Sequence, residues 1–280
     1  MELSKRAIII DTDIGTDVDD ALAISYAIKS NLNVQLISTV HGDTLKRSQI
    51  AYKLTKMLNY NGLIAKGEEK PMVLNEIFWK GFEGDGFLDG TEPTDFLDAV
   101  DTIAKVIYQN KYNVDLVSIA PLTNIAKAFI KYPDLSQYVN TLYLMGNAIV
   151  CDNNWHLNYR AHNFKVDPHA VDVVFNSDVK KVIVTTEVCK EHSLTRSDFS
   201  EFKKSNEPFL SYLSKAANQW LEESIYDVSY LYDPLVIHHL LDFDCTPKKI
   251  YGDVSITIKR SGDKMNNIGK HLIEVLKNEK

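Results

Sequence analysis

The sequence has few cysteines, no block of basic residues and no long apolar run. Its cysteines, Cys151, Cys189 and Cys245, are isolated and odd in number, which argues against a disulfide framework or a thiolate metal site. Basic residues adjoin only in pairs such as Lys46-Arg47 and Lys180-Lys181, which we expect at the solvated surface, and the net charge is −7. This balance argues against a nucleic-acid partner, and no stretch is apolar over the length of a membrane span.

The composition is typical of a soluble globular protein, with 45% hydrophobic and 25% charged residues in a chain of 280. No low-complexity linker or internal repeat divides the chain, so we expect one domain over residues 1–280. The apolar run after Met1–Arg6 has four residues, too few for a signal-peptide core. We therefore expect a cytoplasmic protein with no membrane partner.

Strand-like apolar runs alternate with helical patterns along the chain. The runs 7–10, 34–40, 114–119, 141–145 and 182–184 predict strands, and segments with helical spacing follow them. This alternation predicts an α/β fold, with an open, mainly parallel (mixed) sheet covered by helices on both faces.

Aspartates are concentrated directly after the first apolar run, at Asp11, Asp13, Asp17, Asp19 and Asp20. Because a strand precedes them and a helical pattern follows, we expect the carboxylates of all but Asp17 to gather where open α/β sheets bind ligands. Two carboxylates about 4 Å apart repel by roughly 4 kcal/mol at an effective dielectric near 20. The cluster therefore predicts a hard, oxygen-preferring metal ion, with a solvated acidic loop as the alternative.

Further polar motifs lie at the ends of apolar runs or the starts of helices. In order along the chain they are Gly42-Asp43, Gly84-Asp85-Gly86, Ala120-Pro121-Leu122-Thr123-Asn124, Asn163-Phe164-Lys165-Val166-Asp167-Pro168 and Asp233-Pro234-Leu235. Together with the aspartate motif, they resemble the inosine-uridine-preferring nucleoside hydrolase family over nearly the whole chain. The resemblance implies a Rossmann-like nucleoside hydrolase fold.

The resemblance also implies a Ca²⁺ ion as cofactor at the bottom of a pocket. The matching ligands are the carboxylates of Asp13, Asp20 and Asp233 and the backbone carbonyl of Thr123. Asp13 would also deprotonate the water that the cation binds. Attack at C1′ of an oxocarbenium-like ribosyl would then release ribose and the free base, as in glycoside hydrolysis generally.

The implied partner is a small-molecule ribonucleoside, and the family's habit predicts a homodimer or homotetramer. Asp19, Asn154 and Asn163 would hold the ribose hydroxyls, with Asp43 near them. Asn154 lies one residue too far from Asn163 for the family spacing, and Asn153 is the neighbour that could replace it.

Several of these residues have a simpler structural interpretation. Asp233 and Asp167 each precede a proline, where an ordinary helix N-cap is expected, and we leave Asp167 out of the site. Thr123-Asn124 could be no more than a strand-to-helix turn, and His41 a packed or surface histidine.

The chain departs from the family pattern at three positions. Tyr232 stands where many members have a histidine that helps the base to leave. The ordinary pKa of tyrosine is about 10, so it is a weaker acid than histidine. We therefore predict that activation of the leaving group is weaker or is supplied by another residue. Ala161 replaces a glutamate that binds the ribose 5′-hydroxyl, between Arg160 and His162. Asp43 replaces asparagine, which adds negative charge and should tighten metal binding.

The change at Ala161 could admit a 5′-substituted ribose, for example a phosphorylated one, because arginine suits phosphate geometry. A relaxed subsite with Arg160 turned to solvent is the alternative that we favour from the sequence.

Two other functions compete with hydrolysis of nucleosides. Haloacid-dehalogenase-like phosphatases also begin with a strand and Asp-x-Asp; there Asp11 would be the nucleophile and Mg²⁺ the metal, but the later motifs would be unexplained. A non-hydrolytic or altered-substrate ribosyl-binding relative would keep the metal carboxylates while losing residues around the base, as Tyr232 and Ala161 suggest.

Overall fold

The fold is built on one large central sheet. The structure, a computed structural model, describes residues 6–73, 84–151, 154–241, 248–258 and 267–278. The strands in these ranges are β1 (Ala7–Thr12), β2 (Val34–Thr39), β3 (Leu63–Lys66), β4 (Leu97–Asp98), β5 (Val114–Ser118), β6 (Thr141–Gly146), β7 (Ala148–Cys151), β8 (Asn154–Leu157), β9 (Lys181–Thr185), β10 (Ser193–Thr195), β11 (Val228–Tyr230), β12 (Lys248–Tyr251) and β13 (Val254–Thr257).

The large sheet has nine strands in the order β12-β13-β9-β6-β5-β1-β2-β3-β4, while β7–β8 and β10–β11 form two small sheets. Neighbouring strands of the large sheet are parallel, except for the antiparallel pair β12–β13. The predicted α/β class with a mainly parallel, mixed sheet is confirmed.

Helices cover both faces of this sheet. They are α1 (Asp19–Lys29), α2 (Thr44–Met57), α3 (Ala99–Gln109), α4 (Thr123–Lys131), α5 (His162–Val166), α6 (Pro168–Phe175), α7 (Thr186–Cys189), α8 (Arg196–Phe202), α9 (Pro208–Glu223), α10 (Tyr232–Leu240) and α11 (Gly269–Lys277). In β1, Ile8 and Ile10 pack into one apolar core with α1, α2 and α8 to α11, whereas Ala7 and Ile9 pack into a second core with α3, α4 and α6. Alternate side chains of a strand point to opposite faces, which explains the nearly continuous apolar run.

Strand β1 lies where the strand order reverses. The chain runs outward from β1 through β2, β3 and β4, and then returns to the other side of β1 at β5. A crevice outside the carboxyl ends of the strands forms at such a reversal and is the usual ligand site of open α/β sheets.

The predicted strands in the centre of the sheet are confirmed, but several structural details differ from the predictions. The half-exposed hairpin β7–β8 was not predicted, because it lacks a strong apolar pattern. Of the residues predicted at the surface, Arg47 and Lys181 are each only 3% exposed; Lys181 Nζ donates to the carbonyls of Ser177 (2.7 Å) and Val179 (2.8 Å). Among the helices described, none has the length and apolar character needed to cross a bilayer.

Candidate active site

The turn between β1 and α1 carries aspartates to the carboxyl edge of the sheet. Asp13 follows β1, and Asp19 and Asp20 are the first residues of α1; their exposures are 6%, 4% and 2%. Carboxylate oxygens of Asp17, Asp19 and Asp20 lie within 4.8 Å of one another. The local sequence thus concentrates negative charge on buried oxygen atoms.

Helix α10 brings the distant end of the chain to the same place. It packs against α1 and begins with Tyr232 and Asp233, of which Asp233 is 4% exposed. The resulting cavity has a volume of about 350 Å³ and is lined by Asp13, Thr16, Asp17, Asp19, Asp20, Ile119, Met145, Arg160, Ala161, His162, Asn163, Thr186, Trp220, Tyr226, Tyr232 and Asp233. We call it the carboxylate pocket.

Burial raises the pKa of Asp13, Asp19, Asp20 and Asp233, and neighbouring carboxylates raise it further. After burial, the charges of Asp17, Asp233 and Asp20 are the causes that raise the pKa of Asp19. In this arrangement the carboxylates cannot all be ionised without a compensating charge.

The residues of the carboxylate pocket fit a divalent, oxygen-preferring cation. All the acidic groups offer hard oxygen ligands, and Asp19 Oδ1 is buried without a hydrogen-bond partner among the described residues. A cation would satisfy that oxygen and remove the repulsion between the carboxylates. The cluster could therefore hold a metal ion, in agreement with the metal site predicted from the sequence.

Arg47 fixes the turn that carries the aspartates. Its guanidinium donates to the backbone carbonyls of Asp13 and Ile14 and to Thr16 Oγ1, and its Nε donates to the carbonyl of His41. These bonds explain why Arg47 is buried rather than at the surface. They hold the turn in place from α2, independently of the carboxylates.

Asp11 lies outside the carboxylate pocket, although it belongs to the same aspartate run. It is 1% exposed and accepts hydrogen bonds from Ser38 Oγ (2.6 Å) and Asn124 Nδ2 (2.8 Å). Burial raises its pKa to about 7. An enclosed side chain with these partners joins β1 to its neighbours and is not placed to attack a phosphate, so the phosphatase interpretation loses its nucleophile.

The structure brings six of the predicted site residues together in the carboxylate pocket: Asp13, Asp19, Asp20, Asn163, Tyr232 and Asp233. Asp233 lies inside the first turn of α10, whose N-cap is Leu231, so it is not the ordinary cap that its sequence context allowed. Asp167, in contrast, caps α6 by accepting from the backbone N–H of Ala170, as the sequence predicted.

Thr123 is not brought into the carboxylate pocket. It begins α4, and its hydroxyl donates to Asp167 Oδ2 at 2.7 Å. Ile119, at the start of the same turn, lines the pocket instead. Nothing in the residue type pointed to Ile119, because its side chain is apolar and any contribution to a cation would come from its backbone carbonyl.

Asp43 and Asn154 are also outside the pocket lining. Asp43 is exposed and caps α2 by accepting from the backbone N–H of Lys46 at 3.0 Å. Asn154 is exposed at the start of β8, where its Oδ1 accepts from the N–H of Trp155 at 2.8 Å. Local backbone bonding therefore accounts for both side chains; the alternative Asn153 lies outside the described residues.

The motif Gly84-Asp85-Gly86 is likewise absent from the pocket lining. The carbonyl of Gly86 accepts from Lys215 Nζ at 2.9 Å, and Asp85 pairs with Lys46. Residues 74–83 of the same stretch lie outside the described residues.

Several lining residues were not assigned to the site from the sequence. Asp17 was visible in the aspartate run, yet it was the one aspartate that was not expected to gather with the others. Thr186 follows β9 directly, a polar residue after an apolar run, which is the signal used elsewhere. Met145 and Trp220 give no such signal, because apolar residues at these positions are ordinarily core.

An α/β sheet whose strand-order reversal holds a buried pocket is typical of a protein that binds a small ligand, and the carboxylates of this pocket could hold a metal ion. The model of the family "Inosine-uridine preferring nucleoside hydrolase" matches residues 8–275. The chain belongs to this family, as the motif resemblance predicted.

Known proteins agree with this assignment. The chain is 28% identical over 225 residues to the pyrimidine-specific ribonucleoside hydrolase RihA of Escherichia coli O1:K1 / APEC, covering 77% of this chain and 71% of the relative. Its fold is similar to that of the plant nucleoside hydrolase PpNRh1 (TM-score 0.76, 20% identity, 98% of each chain). It is also similar to the type III effector protein XopQ complexed with adenosine diphosphate ribose (TM-score 0.76, 16% identity, 97% of this chain and 92% of that one).

Proposed function

We propose that this protein hydrolyses the N-glycosidic bond of ribosides, with Ca²⁺ as its cofactor. The observation that supports this most directly is the burial, in one pocket, of carboxylates from the β1–α1 turn and from the start of α10. Membership of the nucleoside hydrolase family supplies the class of reaction.

The cation would be held by Asp13, Asp20 and Asp233, with Asp17 or Asp19 and the carbonyl of Ile119 as further oxygen donors from the pocket lining. A turn and two helix starts form an irregular set of ligands, which Ca²⁺ tolerates better than Mg²⁺ does. When bound, the cation neutralises the carboxylates and supplies a Lewis acid that orients the diol and the attacking water.

Asp13 is proposed as the general base. It accepts a proton from water while the water oxygen bonds to C1′; the bond from C1′ to the base nitrogen breaks, its electron pair stays on that nitrogen, and the nitrogen then takes a proton from solvent. Asn163, which is 5% exposed and lines the pocket, can donate to and accept from ribose hydroxyls. Trp220, Tyr226 and Tyr232 form the aromatic lining, against which a base can stack.

Tyr232 is poorly suited to protonate the departing base. Burial and then the charge of Asp19 raise the pKa of its hydroxyl above the ordinary value, so it gives up its proton less readily at neutral pH. This direction supports weak leaving-group activation, as the replacement of histidine predicted.

The raised pKa of Tyr232 also favours a second candidate, a riboside-binding protein that does not hydrolyse its ligand. It would retain the cation and the ribose contacts without a competent acid for the base. XopQ, a similar fold, is described in complex with adenosine diphosphate ribose, and a ligand of that type would suit such a protein.

The test is release of reducing sugar from purine and pyrimidine ribonucleosides, with Ca²⁺ present and after chelation. Ribose release that is lost on chelation and restored by Ca²⁺ is the expected result. Tight binding of Ca²⁺ and riboside without release would favour the second candidate, and release that survives chelation would contradict the cation's role.

The single domain, the cytoplasmic location and the homodimer or homotetramer stay predictions. Light scattering of the purified protein measures the last of these directly.

A further inference from the structure

We infer that the riboside bound in the carboxylate pocket carries a phosphate at its 5′ position, recognised by Arg160 with His162 beside it. The inference rests on the proposed function, because it takes the pocket to hold a ribose, and it adds the class of substrate. Arg160 is exposed and lines the pocket, and the inference assigns a phosphate to the guanidinium that the sequence analysis expected to turn to solvent.

The charge of the pocket lining is divided between two parts of the chain. The acidic groups come from the β1–α1 turn and from α10, whereas among the described lining residues the basic side chains are those of Arg160 and His162. Ala161 lies between them, 9% exposed, and also lines the pocket. One short segment therefore gives the pocket its cationic part.

Arg160 is held at this position by its backbone. Its N–H donates to Asn158 Oδ1 at 3.1 Å, and the N–H of Ala161 donates to the carbonyl of Asn158 at 3.3 Å. The Arg160 guanidinium forms no ion pair with a carboxylate of the described residues. An arginine that neutralised the acidic cluster would pair with it, whereas the Arg160 side chain is exposed and pairs with none of the described carboxylates.

The donors and acceptors of this segment suit a phosphate better than a hydroxyl. The arginine side chain offers only donors, in a planar fork that matches phosphate oxygens. Ala161 offers no acceptor to a 5′-hydroxyl, and its small side chain leaves room beside Arg160.

Three kinds of lining match the three directions in which a riboside extends. The carboxylates and Asn163 suit the 2′,3′-diol, and the aromatic residues suit the base, which leaves the segment of Arg160–His162 for the group on C5′. The segment directly precedes Asn163 in the chain and lines the same pocket, so we assign to it the group on C5′ of a ribose held by Asn163. The volume of about 350 Å³ lies within the range of small-ligand sites.

The experiment compares a nucleoside with its 5′-monophosphate, using calorimetry for binding in the presence of Ca²⁺ and base release for turnover. The 5′-monophosphate should bind roughly tenfold more tightly, since a charge-assisted bidentate contact is involved. In Arg160→Gln that preference should disappear, because binding of the 5′-monophosphate weakens toward that of the nucleoside. Lys203→Gln, which removes an exposed charge outside the pocket lining, is the matched control.

A second variant sharpens the result. Ala161→Glu introduces a carboxylate beside the proposed phosphate and should reverse the preference toward the unmodified nucleoside. A riboside whose 5′-phosphate continues into a second nucleoside forms a further arm. If it binds more tightly than the monophosphate and loses that affinity in Arg160→Gln, the contact is to a bridging phosphate and the inference holds.

The outcomes separate this inference from the proposed function. If the nucleoside is cleaved and its 5′-monophosphate binds equally or worse, the inference is overturned and the hydrolase stands. If the monophosphate binds through Arg160 and neither compound is cleaved, the inference stands and the hydrolase proposal fails. If neither compound binds in the presence of Ca²⁺, both are overturned.

Discussion

Helices α1 and α10 lie against each other, and the pair buries carboxylates at one end and histidines at the other. Asp19, Asp20 and Asp233 occupy the first turns of these helices. Further along, Tyr26 Oη and His238 Nδ1 form a hydrogen bond of 2.9 Å, and His239 is 3% exposed. The two ends are equally buried, but they differ in what burial requires of them.

Burial disfavours the charged form of any side chain. At the histidine end it lowers the pKa of His238 to about 4 and that of His239 to about 3, so both are neutral at physiological pH. At the carboxylate end it raises the pKa of several groups that are charged in water. The histidine end can be stable without a ligand, whereas the carboxylate end needs protons or a cation.

The largest effect should come from removing a carboxylate of the pocket. Asp13→Ala should lower kcat/KM by about a thousandfold, because both the proposed base and a cation ligand are lost. Calorimetry should also show weaker Ca²⁺ binding. The matched control is Asp43→Ala, which removes an exposed cap of α2; it should cost about 1 kcal/mol of stability and leave Ca²⁺ affinity unchanged. Wild-type turnover in Asp13→Ala would exclude the mechanism.

The next effect is the acid sensitivity of the histidine end. Because His238 and His239 have lower pKa values in the folded state than the unfolded value near 6.5, the unfolded chain binds more protons between pH 6.5 and about 4. Their contribution to stability is thus present above pH 6.5 and is lost as the pH falls. Urea unfolding with Ca²⁺ in excess should show a loss of up to about 2 kcal/mol per histidine between pH 7 and 5.

His239→Leu separates the histidine end from the carboxylate end in this measurement. Both ring nitrogens of His239 lack a hydrogen-bond partner among the described residues, so an apolar side chain of similar size should be tolerated at pH 7. The variant should lose less stability than the wild type between pH 7 and 5. An unchanged pH dependence would show that His239 is already accessible to protons in the folded protein.

The smallest effect is expected at Tyr232, where α10 begins. Because burial and Asp19 raise its pKa, its hydroxyl should contribute little as an acid, and Tyr232→Phe should keep kcat within about threefold of the wild type. A fall of a hundredfold or more, measured as base release under saturating substrate, would identify Tyr232 as the leaving-group acid after all.

The carboxylate end could be predicted largely from the sequence, because a strand, a turn and a helix start follow one another within fifteen residues. Asp13, Asp19 and Asp20 could be located from this local order alone, and Asp233 through its motif. Asp17 was left out because nothing in the local sequence shows whether a side chain of the turn faces the pocket or the solvent.

The remaining parts of the site depend on contacts that the sequence does not encode locally. Asp43 matched a motif position but caps a helix at the surface, and Asn154 lies on a hairpin whose direction no pattern specifies. Ile119 lines the pocket where Thr123 was expected. Arg47 was predicted at the surface, because the sequence does not show that Arg47 meets its hydrogen-bond acceptors in the folded chain. The four acceptors lie on segments that precede it, including the turn after β1.

The pairing of α1 with α10 also affects how the protein is made. Asp19 and Asp20 emerge from the ribosome long before Asp233 and the helix that carries it. Until α10 is made, the carboxylate pocket lacks a wall, and α1 lacks the apolar surface that it covers in the finished protein. A nascent chain that stops before α10 therefore has no complete pocket, and a cation that needs Asp233 would be bound only after this helix has been made.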